Sequence, residues 1–138
     1  MSHMVRLASV SLLFGGLLTA AHVQADDEPD CSNAQTQAEM TQCAGADFDE
    51  ADQELNAEYQ KLRKLLATRD KDADEGGKGA VEALVAAQRA WVAFRDANCD
   101  LAGFQARGGT MEPMLISSCM ADMSRKRTEE LQSLSEQF

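Results

Sequence analysis

Gln88-Arg89-Ala90-Trp91-Val92-Ala93-Phe94-Arg95-Asp96-Ala97-Asn98-Cys99 is the stretch whose reading decides the fold. It holds the only tryptophan of the chain, one of its cysteines, and an arginine spaced to face inward with the apolar residues. Across the wider segment from Val81 to Arg107, apolar positions at Val81, Leu84, Val85, Trp91, Val92 and Ala102 recur at helical spacing. Gln88 and Arg95 fall on the same stripe, where a polar side chain must find a partner or destabilise the helix. The segment reads as the central helix of a small helical domain.

Working outward, 138 residues bound the answer to one domain. The first 25 residues read as a secretory signal peptide to be removed. Arg6 gives the positive start, Leu7 to Val23 the apolar run, and Val23-Gln24-Ala25 the small-residue cleavage site. That run is short for a membrane span, and Asp26-Asp27-Glu28 follows it with no basic stop-transfer residues. Cys31 is preceded by Glu28-Pro29-Asp30, which is not a lipidation context, so no membrane anchor is expected. Residues 26 to 30 form a flexible lead-in, and 31 to 138 the folded domain.

Removing Arg6 with the leader leaves 12 basic against 23 acidic side chains, a net charge of −11. Such a charge repels nucleic acid and anionic membrane surfaces and steers a basic protein partner inward. Both histidines, His3 and His22, lie in the removed segment. Ser-His-Asp and Cys-His catalysis and histidine-ligated zinc are thereby excluded from the mature chain. No cofactor or metal is implied, and a structural or binding role is favoured over an enzymatic one.

Four cysteines in an exported chain point to two disulfides, for which three connectivities exist. Thr36-Gln37-Ala38-Glu39 is a capping box, starting a short helix that Gly45 would stop. In one continuous helix Cys31 and Cys43 would stand about 18 Å apart and could not be bridged. With the helix starting only at Thr36, the extended residues before it can run back alongside, and Cys31–Cys43 becomes feasible.

Asp47 or Asp49 would cap a second helix reaching about Arg69, with Leu55, Tyr59, Leu62 and Leu66 as its packed stripe. Asp70 to Gly79 is the main loop. Its alternating charges fall short of a calcium-binding loop, since the expected glutamate and glycine are out of place. Gly103 to Thr110 forms a second break, and the last helix begins near Glu112-Pro113. The fold class is all-α: a small disulfide-stapled antiparallel helical bundle of one short N-terminal helix and three longer ones.

Short loops make neighbouring helices antiparallel. Folding the chain back about Gly109 sets Cys99 opposite Cys119, the second bridge, and Trp91 near Arg127 for a cation–π contact. Folding it about Glu75 sets Arg95 beside Asp52, Leu55 and Asn56, and Trp91 beside Tyr59. The expected result is a buried polar network of Asp52, Asn56, Tyr59, Gln88, Trp91, Arg95 and Arg127. In it the Arg95 guanidinium is satisfied by Asp52 and Asn56 and flanked by Trp91 and Tyr59. Its role is to fix helix register rather than to bind a ligand.

These residues together resemble the LprI-type lysozyme-inhibitor domain of exported bacterial proteins. The resemblance lies in Cys31, Thr36-Gln37-x-Glu39-Met40-x-x-Cys43, Asp52-x-x-Leu55-Asn56-x-x-Tyr59, and Ala87-Gln88-Arg89-Ala90-Trp91. It continues through Arg95-Asp96-x-x-Cys99, Gly108-Gly109, Cys119 and Arg127, in order along nearly the whole mature chain. It implies a small helical periplasmic or secreted domain and inhibition of c-type lysozyme by binding. The partner would be a basic lysozyme-type enzyme met by the Asp70–Gly79 loop, the Gly103–Thr110 loop or an acidic helix face. A non-inhibitory envelope interaction module is the alternative, and oligomeric state is left open.

Overall fold

The computed structural model describes residues 29–138, and the expected signal peptide and most of the lead-in lie outside them. Thr36 accepts the Glu39 backbone N–H at 3.2 Å, and the Glu39 carboxylate accepts the Thr36 and Gln35 N–H groups, each at 2.9 Å. This capping box opens α1, Gln37–Asp72. The helix does not stop at Gly45. It continues as one 36-residue element, so the expected short N-terminal helix and the separate second helix are one. A glycine inside a helix costs about 1 kcal/mol relative to alanine, which the packing of a long amphipathic face readily outweighs. Asp47, expected as a cap, instead forms a bidentate ion pair with Arg125 of the last helix.

The hairpin to the next helix turns through a single 3-10 turn, Glu75–Gly77, and Gly79, whose φ of 109° only glycine adopts without strain. The helix α2, Ala80–Gly103, starts without a local side-chain cap. Asp70, near the end of α1, supplies one instead. Its two carboxylate oxygens accept the Ala80 and Val81 N–H groups, each at 3.0 Å. After α2 a second 3-10 turn, Phe104–Ala106, leads to Gly108 at φ 76°. The carboxylate of Glu112 accepts the Gly108 N–H at 2.7 Å and pairs with Arg107 at 2.8 Å, fixing the loop that enters α3, Glu112–Ser135. Pro113 sits in the first turn of α3, where its missing N–H is not needed.

The three helices alternate in direction. α2 is antiparallel to both neighbours, and α1 and α3 therefore run parallel. Contacts between them keep a nearly constant offset: Gln37 to Met114, Asp47 to Arg125 and Glu58 to Ser135. This first-to-third pairing is the most extensive in the molecule. Leu55, Leu62 and Leu66 of α1, Leu84 of α2 and Leu131 of α3 form the buried apolar core, with Tyr59, Val81, Trp91 and Leu134 packed around it. Two disulfides staple the same end of the bundle, Cys31–Cys43 across the start of α1 and Cys99–Cys119 between the end of α2 and the start of α3.

Candidate functional site

Arg95, 7% exposed, is the centre of the polar interior. Helical spacing from Leu84 and Gln88 points it inward, and α1 and α3 close over it. Its Nη1 donates to Asp52 Oδ1 at 2.7 Å and to Ser124 Oγ at 3.2 Å, and its Nε donates to Asp96 at 2.9 Å. The guanidinium carbon lies 5.1 Å from the Phe48 ring centroid and 5.3 Å from that of Trp91. One cation thus meets two carboxylates, a fully buried hydroxyl and two aromatic faces.

Asn56 does not reach the guanidinium. Its Nδ2 donates to the other oxygen of Asp52 at 2.8 Å, so it orients the carboxylate rather than the arginine. Tyr59 packs on the apolar core one turn further along. Phe48 takes the flanking position expected of Tyr59, beside Trp91. A second node follows along α2: Arg127 Nε donates to Gln88 Oε1 at 3.1 Å, its Nη1 pairs with Glu130 at 2.8 Å, and its guanidinium lies 5.8 Å from Trp91. Trp91 therefore stands between two arginines.

Around Arg95 three members of the network are not among those expected from the sequence, Phe48, Ser124 and Asp96, and around Arg127 one, Glu130. The three around Arg95 each had a signal. Phe48 precedes Asp52 by one helical turn, visible only if α1 runs through Gly45 unbroken. Folding α2 back about Gly109 carries Arg95 to the position next to Ser124. Asp96 is the chain neighbour of Arg95.

Every polar partner in this interior is accounted for, since no buried side-chain nitrogen or oxygen among the described residues lacks a hydrogen bond. The cluster links α1, α2 and α3 through satisfied hydrogen bonds. No group of three or more His, Cys, Asp or Glu side chains among the described residues is placed to hold a metal ion. No described helix is long and apolar enough to cross a membrane.

The outer surface differs in character at its two hairpin ends. In the α1–α2 turn Asp72, Asp74 and Glu75 are exposed, Glu75 is paired with Lys78, and Asp70 is engaged in capping. The N–H of Val81, with that of Ala80, holds the Asp70 carboxyl below its ordinary carboxylate range. The α2–α3 loop instead exposes Phe104 and Met111 beside Arg107, whose guanidinium stacks on Phe104 at 4.5 Å. Both ends are braced rather than loose.

Comparison with known proteins places these features in a wider set. Residues 29–131 match the family described as Lysozyme inhibitor LprI. An uncharacterized protein of Rhizobium meliloti (strain 1021) is 50% identical over 112 residues, 79% of this chain and 81% of that protein. A crystal structure of a DUF1311 family protein from Pseudomonas putida KT2440 superposes with a TM-score of 0.63 at 30% identity. It covers 77% of this chain and 100% of that one.

Proposed function

This chain belongs to the LprI lysozyme inhibitor family, and from that premise we propose that it is an exported inhibitor of a lysozyme-type muramidase, acting by binding. Family membership across residues 29–131 is the observation that carries the reading. The physical chemistry supports it. An acidic chain is steered toward a basic enzyme, and two disulfides suit a protein that works outside the cytoplasm.

The contact we favour is the α1–α2 turn. Its exposed carboxylates at Asp72, Asp74 and Glu75 stand on a turn pinned by Asp70, so little conformational freedom is lost on binding. Titrating the disulfide-bonded protein against c-type lysozyme in a bacterial-lysis assay tests the proposal. Loss of lysis that saturates at one inhibitor per enzyme is expected. Undiminished lysis at micromolar excess of inhibitor would sink it.

A second reading is a non-inhibitory envelope module that binds another periplasmic protein or a cell-wall component. It is favoured by one observation: Asp52, Trp91, Arg95 and the cysteines, the residues that carry the resemblance, are engaged in contacts within the bundle and in the disulfides. Capture of an envelope partner by a protein inert toward lysozyme would select it.

A further inference from the structure

The helix α2 carries an apolar face that the fold does not use. Leu84, Gln88, Arg95 and Cys99 point into the bundle. Away from the bundle Ala87, Ala90, Phe94, Ala97 and Leu101 follow one another at alternating steps of three and four, the spacing of a coiled-coil seam, and Phe104 continues the pattern in the 3-10 turn just past the helix. All six are exposed, Phe94 at 59%, Leu101 at 68% and Phe104 at 57%. From Ala87 to Leu101 the seam runs about 21 Å along the helix, well beyond the isolated apolar residues that any protein surface carries.

We propose that this face is the interface of a symmetric antiparallel dimer in which α2 packs against α2 of a second copy. The order of residues along the seam argues for self-pairing. Reversing the helix against itself sets Phe104 on Ala87, Leu101 on Ala90 and Phe94 on Ala97, each large side chain on a small one. The same register repeats on both sides of the two-fold axis, as a closed dimer requires. A parallel pair would instead stack Phe94 on Phe94 and Leu101 on Leu101.

Charge selects the same arrangement. Arg89 and Asp100 are exposed on one flank of the seam, and neither has an ion-pair partner among the described residues. The antiparallel register brings Arg89 of each copy close to Asp100 of the other. A parallel register would put the Arg89–Asp100 flanks of the two copies on opposite sides of the seam, where neither charge meets its complement. Ala93 lies between them on that flank and leaves room for close approach. The dimer places the two α1–α2 turns at opposite ends of the assembly, and it stands whether or not those turns inhibit a muramidase.

Sedimentation equilibrium of the disulfide-bonded exported protein tests this. A dimer dissociating in the micromolar range is expected. Ala90→Glu and, separately, Ala97→Glu bury a carboxylate twice per dimer and should each weaken association by about a hundredfold, with the melting of the monomer unchanged. Arg89→Asp alone and Asp100→Arg alone should each weaken association, and the double swap should restore it. A protein that stays monomeric well above micromolar concentration overturns the proposal. So does a dimer indifferent to both glutamates, or a double swap that recovers nothing.

Discussion

Arg95 and Ser124 meet at 3.2 Å in the centre of the bundle, a guanidinium on α2 donating to a hydroxyl on α3 that is 0% exposed. The same nitrogen reaches Asp52 on α1 at 2.7 Å, so a single atom ties all three helices together. A cation placed this way specifies one register of three helices, because sliding any of them strands a buried polar group.

Replacing Arg95 by methionine should therefore destabilise the domain by about 3–5 kcal/mol, or unfold it, since Ser124 and Asp52 lose their common donor. Asp52→Asn should cost less, about 1–2 kcal/mol, because the Asp52 side chain is 36% exposed and water can substitute there. Urea denaturation of both variants measures the difference. An Arg95→Met protein melting within a degree or two of wild type would refute the network.

Two glycines should respond to alanine in opposite directions. Gly45 lies inside α1 with open space around the position a Cβ would take, so Gly45→Ala should stabilise by about 0.5–1 kcal/mol. At Gly103 a Cβ would stand 2.7 Å from Ile116 Cγ1 where α2 closes on α3. Gly103→Ala should destabilise by about 1–3 kcal/mol through overpacking. Destabilisation by Gly45→Ala would mean that α1 breaks there after all.

The Asp70 cap makes a pH prediction. The Val81 N–H bond, with that of Ala80, lowers the folded-state pKa of Asp70, so the folded protein binds this proton more weakly than the unfolded chain does. Stability from the cap is then fully present above the ordinary carboxylate value, about 4, and fades as pH falls through the lower folded value. Asp70→Asn should be less stable than wild type at neutral pH, with the gap narrowing in acid. Glu39 and Asp47 are lowered too, by the Thr36 backbone and by Arg125 respectively, so wild type keeps some acid sensitivity without Asp70. A gap unchanged from neutral pH to strong acid would count against the cap.

Reversing charge in the α1–α2 turn probes the proposed inhibitory contact. Asp72→Lys, Asp74→Lys and Glu75→Lys together should weaken lysozyme inhibition by about tenfold or more and reduce its salt dependence. These side chains are exposed, so melting should barely move. Inhibition unaltered by the triple variant would shift the contact to the α2–α3 loop or to a helix face.

Much of the architecture was legible in residues alone. The Leu55–Tyr59–Leu62–Leu66 stripe, the capping box at Thr36, both disulfides and the pairing of Arg95 with Asp52 follow from local periodicity and from folding hairpins about their loops. Those rules act between chain neighbours, where spacing converts directly into distance. They reached their limit at Gly45, where a local stop signal worth about 1 kcal/mol met a long-range packing gain that is larger. Misreading that one residue hid Phe48, which belongs to the Arg95 site only when α1 is continuous.

What the tertiary structure alone decided is the parallel pairing of α1 with α3. No loop joins those helices, so no turn geometry announces it, yet it sets Arg125 against Asp47 and Ser135 against Glu58. The cap that Asp70 lends to α2 is of the same kind, an acceptor supplied by a residue ten positions upstream. Sequence periodicity determines which face of each helix is buried. Which side chains meet there depends on the relative placement of three helices, and that is set by the summed packing of the whole core.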